Sequence, residues 1–353
     1  MTIVFAILLF SFLIVIHELG HFVSAKLSGV QVNEFSVFLG PALVKWKRGE
    51  TQYAIRCIPF GGYCAMEGED EETDNPRSFQ KAAWWKRLII LVAGSAMNFI
   101  AGLLLVAIVL SCQPGYTSTQ IDKVESWSSL STAGGLESGD RIVEINGKKI
   151  DIYQDFYMQT LFLEDGNHQL VVERDGKKVT LDNVPMVRQK VTDEQGNEQM
   201  LYGLQFVVEE TTAGSVAKMI WPTATYNVDV VIASLKMLIT GQAGLKDMTG
   251  PVGIVKIMSE SASSAPSAVW ALISLLDIGA FIAINLAVMN MLPIPALDGG
   301  RVVALLLTTG IEMITKKKID PKYEGYVHAI GMILLLGLMA LVLFHDIFMI
   351  FKG

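Results

Sequence analysis

Four stretches of the chain run for about 20 residues with few charges, the length at which a helix crosses a bilayer. They lie at about Ile3–Ala25, at 88-LIILVAGSAMNFIAGLLLVAIVLS-111, near 268-AVWALISLLDIGAFIAINLAVMNML-292, and from 327-VHAIGMILLLGLMALVLF-344 onward. The second carries no charge at all. Between the first two the period of the pattern changes. Segments 30-VQVNEFSVFLG-40, 42-ALVKWKRG-49 and 51-TQYAIRCIPFGGY-63 alternate partially, with β-branched and aromatic residues and glycine turns, and predict strands. Extended backbone at membrane depth survives only under cover of protein or a watery cavity. The pattern therefore predicts a hairpin region packed on the helices, with the edge 52–63 open to another extended chain. The acidic run 67-EGEDEETDNP-76 reads as an exposed loop.

Residues 116–210 read as a compact, mostly-β module of ordinary domain size. In 134-GGLESGDRIVEINGKKI-150 a glycine turn leads into an alternating strand and an Asn146-Gly147 hairpin turn. A helix is expected within 151–166, then a hairpin over 168–184 turning at Asp175-Gly176. From 228 to 262, Val228, Val231, Ile232, Leu235 and Leu238 have helical spacing, broken by Asp229, Lys236 and Lys246. That pattern suits a helix on the membrane surface or against the bundle. The predicted divisions are 1–112 (N-terminal membrane part), 116–210 (β module), 211–265 (amphipathic linker region) and 266–353 (C-terminal membrane part).

Composition sharpens this picture. Of 353 residues 51% are hydrophobic and only 18% charged, below the quarter usual for soluble domains. A net charge of −7 leaves no footprint for nucleic acid, so no nucleic-acid partner is expected. Cys57, Cys64 and Cys112 form neither a disulfide framework nor a close metal pair. The first apolar run lacks a basic leader and a small-residue cleavage site, and is expected to be retained. Lys26, Lys81, Lys86, Arg87 and the group Lys316, Lys317, Lys318 and Lys322 cluster at one set of span ends. The positive-inside rule puts those ends in the cytoplasm and both termini and the β module outside.

Within the first span, 13-LIVIHELGHFVSAKL-27 places ionisable groups in oily helix, where they are costly without a partner or a task. His17 and His21 are about 40° apart around a helix, so both rings can meet one zinc ion. Glu18 is placed to reach a water on that metal as general base, and Gly20 admits another backbone. Two histidines leave the ion short of a third protein ligand. Asp298, in the proline-broken turn 290-NMLPIPALDGGRVV-303, is the best candidate. Asn290 is suited to donate a hydrogen bond to substrate backbone or an oxyanion, and equally to cap a helix. Asp277 is expected to be paired within the third span, His345 and Asp346 sit at the outer end of the fourth, and His328 at its cytoplasmic mouth and His168 in the β module show no partner pattern.

On these motifs, in this order, the chain resembles the site-2 protease family of intramembrane zinc metalloproteases, most of all its bacterial regulator-of-sigma-E protease branch. The resemblance covers nearly the whole chain. It implies one catalytic zinc held by His17, His21 and Asp298, with Glu18 as base. The match of 290-NMLPIPALDG-299 makes Asn290 a substrate contact. The segment 60-FGGYCAMEGE-69 is similar to the family's membrane-associated hairpin, which assigns Gly61 and Gly62 to substrate binding. The segment 84-WWKRLIILVAGSAMNFIAG-102 resembles its next transmembrane helix, the stretch 250-GPVGI-254 also fits, and 134–147 resembles a PDZ domain. Departures are the single PDZ domain, where the best-known members carry two, Ser95 in place of a proline, and Cys64 in place of valine. The expected fold is a polytopic α-helical membrane protein with about four transmembrane helices, a membrane-associated β-hairpin region and an inserted PDZ-like domain. The expected function is an inner-membrane endopeptidase acting on single-span proteins, by resemblance anti-sigma factors and remnant signal peptides, with peptide or protein contact at the PDZ domain and the lipid bilayer around it. The competing reading is an inactive membrane-bound PDZ scaffold. A metal transporter would need more ionisable residues in the spans than Asp277.

Overall fold

The computed structural model describes residues 2–69, 73–133, 135–192, 198–244, 248–316 and 322–352. Part of the acidic run, Gly134 of the module signature, and Lys246, Lys317 and Lys318 lie outside the described residues. The chain divides into one unit of residues 1–106 with 227–353 and a second of 107–226.

Helix α1 (Thr2–Ser28) carries the histidine motif, and α2 (Trp84–Cys112) follows the strands. The two helices cross closely at Gly20, where an added Cβ would lie 2.3 Å from the Ala93 carbonyl oxygen. Between them run β1 (Val32–Arg48) and β2 (Thr51–Met66). The three segments expected from the pattern become two long strands because β1 bends rather than stops, at Phe38 (φ 71) and Gly40 (φ 85). The bend lets 34–37 meet two partners: 62–65 running antiparallel and 52–55 running alongside in the same direction, while 42–48 pairs with 51–56. By segments the order is thus 62–66, 32–37, 51–55, 42–48. This corrects the expected open edge: 52–55 is paired on both sides and has no hydrogen-bonding capacity to spare, so the free edge begins beyond it, toward 59–63.

That stretch lies along α1. Ser11 Oγ donates to the Pro59 carbonyl at 3.2 Å, and a Cβ on Gly62 would come within 3.6 Å of Glu18 Cγ. At the far turn, Glu50 accepts from Arg77 and Lys26, each at 2.5 Å, and these hydrogen bonds hold its carboxyl down at about 2. They tie the hairpin to the end of α1 and to the loop before α2.

The second unit is a sheet region consistent with a PDZ-like domain. Its strands are β3 (Gly115–Val124), β4 (Arg141–Ile145), β5 (Lys148–Lys149), β6 (Gly166–Arg174), β7 (Lys177–Met186), β8 (Gln189–Thr192), β9 (Glu198–Leu201) and β10 (Leu204–Glu210), with short helices α3 (Leu130–Ala133) and α4 (Tyr153–Leu161). The main sheet has the order β10-β3-β4-β6-β7. Asn146-Gly147 and Asp175-Gly176 all have positive φ, as hairpin turns that match the strand twist require. Ile121, Ile142, Ile145, Leu170, Val172 and Met186 fill the core.

The polar turn before β4 is locked by a buried carboxylate paired with a partly exposed arginine. Asp140, 1% exposed, accepts Arg174 Nε and Nη2 at 2.7 Å each and the Glu137 amide at 2.9 Å. Asp140→Ala removes the acceptor of the Glu137 amide and of two Arg174 donors, while Arg174 keeps Glu137 and the Gly135 carbonyl, so it is expected to cost about 1–2 kcal/mol. Loss of hydrogen-exchange protection at the β4 and β6 amides would measure it; unchanged protection would contradict it.

Helix α5 (Ala213–Ile239) starts well before the periodic residues, continues through Pro222, and is opened by a reciprocal cap. Thr212 Oγ1 accepts from the Ser215 amide at 3.1 Å while Ser215 Oγ accepts from the Thr212 amide at 2.9 Å. Then follow α6 (Pro251–Ser264), α7 (Ala268–Asn290), α8 (Asp298–Thr315) and α9 (Lys322–Lys352). The glycine-proline break resolves as the start of α6: Asp346 of α9 accepts the Gly250 and Gly253 amides at 3.2 and 3.0 Å. Asp346 is therefore a helix cap, and Gly250 leaves room for its carboxylate. Asp277, by contrast, is exposed on α7, and no partner is found for it among the described residues.

Among the described residues four helices are long and apolar enough to span a membrane: Thr2–Ser28, Trp84–Cys112, Ala268–Asn290 and Gly325–Asp346. The last bares Ile333, Leu334 and Phe344, each about 70% exposed, a surface that suits lipid and not water. The protein is a polytopic helical membrane protein with an inserted β-sheet unit.

Candidate metal centre

One buried cluster stands out among the described residues: His17 and His21 of α1 with Asp298, the first residue of α8. His17 Nε2 lies 3.2 Å from His21 Nε2, and Asp298 Oδ2 lies 3.1 and 3.3 Å from the two nitrogens. One face of a tetrahedral zinc site with bonds near 2.05 Å has edges of about 3.3 Å. The triangle therefore has the right size to hold such an ion.

Two local features prepare these atoms. His21 Nδ1 lies 2.8 Å from the Ile90 carbonyl of α2. A carbonyl only accepts, so Nδ1 carries the proton and Nε2 keeps its lone pair toward the triangle. Asp298 Oδ2 is buried and receives no hydrogen bond. Lone pairs converging without a donor repel one another, and a cation between them removes the conflict. The donor set, two imidazoles and a carboxylate, is also one that catalytic zinc uses.

Asp298 reaches the triangle because glycine follows it twice. A Cβ on Gly299 would sit 2.3 Å from Met291 backbone atoms, and one on Gly300 at 2.3 Å from the Ile294 oxygen. The turn 291–297 can thus fold tightly against the start of α8. Arg301, one turn on, pairs with Glu69 just beyond β2 and links α8 to the sheet.

Glu18 sits on α1 within electrostatic reach of His21, His17 and Asp298. Its neighbour across the gap is the Gly62 backbone. Gly61 is turned elsewhere: at φ 84 it faces the Leu39 side chain. The Asn290 side-chain amide is 3.5 Å from His17 Nδ1, at the rim of the cluster. The structure thus brings His17, Glu18, His21, Asp298, Asn290 and Gly62 together and leaves Gly61 one residue away from the gap.

The sequence reading missed Gly94. It lies one turn beyond Ile90 on α2, and a Cβ there would be 2.4 Å from His21 Nε2 and 2.7 Å from Cε1 of each histidine. Only hydrogen fits behind the ligand pair. The small-residue run 93-AGSA-96 was the available signal.

Comparison with known proteins agrees with this geometry. The model of peptidase family M50 matches residues 5–338. A Clostridium acetobutylicum chain named as a zinc metalloprotease is 38% identical over 349 residues, covering 98% of this chain and 97% of that one. A Clostridium perfringens chain with the same description is 37% identical over 349 residues, covering 98% of each. The Bacillus subtilis regulator of sigma-W protease, RasP, is 26% identical over 430 residues, again 98% of each. With a matching model over nearly its whole length and relatives aligned end to end, the chain belongs to peptidase family M50, the zinc metalloproteases to which RasP is related.

Proposed function

We propose that this protein is an intramembrane zinc endopeptidase of the site-2 protease type, nearest in kind to the regulator-of-sigma proteases, that cuts membrane-anchored substrates within or beside their transmembrane helices. The observation that carries the reading is the ligand-sized triangle of His17, His21 and Asp298 with Glu18 on the same helical turn, set inside a membrane-spanning bundle.

His17 Nε2, His21 Nε2 and Asp298 Oδ2 would hold the ion, and Gly94 and the Ile90 carbonyl keep the two rings aimed at it. Zinc bound there supplies an acidified water and polarises the scissile carbonyl. Glu18 takes the attacking water's proton and returns it to the leaving amine. Asn290, at the rim, donates to the substrate backbone or to oxygen as charge develops on it.

A helical substrate hides its amides in i→i−4 bonds and must be unwound first. The free edge near 59–63, ending at Gly62 beside Glu18, offers those amides replacement partners by strand addition. Gly61 serves this edge indirectly, through its bend.

The single PDZ-like unit, assigned to 116–210, supports contact with peptide or protein. Its β10 edge lies beside α4 through Phe206, Tyr153 and Phe156, and Tyr157 and Leu161 are exposed there. The linker region 211–265 and the membrane parts 1–112 and 266–353 complete the proposed divisions. The basic span ends favour a metal side toward the cytoplasm and a PDZ-like unit outside, in a bacterial inner membrane. Substrates on this reading are single-span proteins such as anti-sigma factors and remnant signal peptides.

The test is metal-dependent cleavage. Purified chain is expected to carry one zinc, to cut a detergent-solubilised single-span protein, to lose activity on chelation and to regain it with zinc. Cleavage that survives complete zinc removal would overturn the mechanism. Zinc retained with no cleavage of any single-span protein tried would favour the scaffold reading.

A further inference from the structure

The turn that delivers Asp298 is held from the side by the last helix. The Ala296 amide donates to His328 Nδ1 of α9 at 3.0 Å. Ala296 has φ 83, a left-handed conformation that a residue with a Cβ rarely adopts unless its surroundings impose it. One turn further along α9, Gly331 meets the same turn: a Cβ there would lie 2.4 Å from Pro295 Cβ. His328 and Gly331 are three residues apart and so share a helix face, and that face clasps residues 295–296.

We propose that His328 is a positioning residue for the metal centre, acting through the Ala296 amide to fix where Asp298 stands. The inference rests on the metalloprotease reading. The imidazole nitrogen is the partner of the Ala296 amide. With that bond made, Ala296 keeps its unfavourable φ, and the two following residues enter α8 with Asp298 aimed at His17 and His21. The Leu297 amide also bonds the Ile294 carbonyl across Ala296 at 3.1 Å, and without the His328 bond that turn alone would hold the left-handed φ. A change of φ there rotates every atom that follows, Asp298 first among the residues that matter. The bond also fixes the ring, since a nitrogen that accepts from an amide leaves the proton on Nε2.

The experiment is chelator competition for zinc on the purified full-length chain, so that it reads metal affinity and not turnover. His328→Phe keeps a ring and removes the acceptor; His328→Leu removes both. Each is expected to weaken zinc binding about tenfold or more, the scale on which supporting hydrogen bonds act on metal sites. His328→Asn, whose side-chain oxygen falls near the place of Nδ1, is expected to keep wild-type affinity. Cobalt in place of zinc gives a second readout: loss of Asp298 from the site changes the visible spectrum in the Phe and Leu variants and not in the Asn variant.

Wild-type affinity in both the Phe and Leu variants would overturn the proposal. So would an Asn variant as weak as the Leu variant, because then bulk and not the bond would matter. Should one of the acceptor-free variants not fold, the other against Asn decides. A wild-type chain that binds no zinc would overturn the metalloprotease reading and this inference with it, a result distinct from tight zinc binding indifferent to residue 328.

Discussion

Glu18→Gln is expected to leave one zinc per chain in place and to lower cleavage of a single-span substrate by about 100- to 10,000-fold, the contribution of a positioned general base. The expectation comes from the separation of roles within one helical turn. The three atoms that converge on the site belong to His17, His21 and Asp298, and none belongs to Glu18. Glutamine has the same shape and can still sit beside the Gly62 backbone, but its amide cannot take a proton from water at neutral pH. Zinc content and product should therefore part company in this variant. If Glu18→Gln lost its zinc, the carboxylate would be holding the site together instead of serving chemistry. If it cleaved at the wild-type rate, another base would have to be found, and the cluster offers none.

Gly94→Ala should have a comparably large effect by the opposite route. The new methyl would stand 2.4 Å from His21 Nε2, well inside contact distance. Relief by sliding α2 is blocked, because Gly20 already brings α1 against the Ala93 carbonyl and the Ile90 carbonyl holds His21 Nδ1. The imidazole must turn away, and one ligand is lost. Zinc affinity is expected to fall by about 100-fold or more, and activity with it. Helix content should not fall, since alanine is the better helix former. Gly310→Ala in α8 is the control: nothing lies within 4 Å of its added methyl, and zinc binding should be unaffected. Wild-type affinity in Gly94→Ala would show that the histidines can bind metal in some other orientation than this one.

The legibility of the molecule followed the range of its interactions. The spans, the hairpin turns at Asn146-Gly147 and Asp175-Gly176, and the His17–His21 pair are settled within a few residues, so the sequence announces them. Asp298 could be inferred because chemistry demanded a third ligand and the proline-broken turn was a suitable source. Gly94 is different. Its importance lies entirely in what α1 places against it, 73 positions away from His21 (94 − 21), and a glycine in an oily helix looks like any other. The same is true of Asp346, whose place at a span end gave no hint that it caps a helix almost a hundred residues earlier. The sheet order failed for a related reason. Alternation predicts strands but not that 34–37 will take two partners, one parallel, and so it exposed an edge that is covered.

The ligand triangle has a further consequence, in time. Its members come from positions 17 and 298, a separation of 281 residues (298 − 17). Ribosomes add about 5–20 residues per second, so a nascent chain carries the histidines and Glu18 for roughly a quarter of a minute to a minute before Asp298 exists. During that interval the site has two ligands, too few for a catalytic zinc, and the metal-binding geometry cannot close. On the proposed function, the chain thus spends its own insertion, among other unfolded spans, without its active centre. With the third ligand 281 residues after His17, assembly of the later membrane helices would be the event that arms the proposed site.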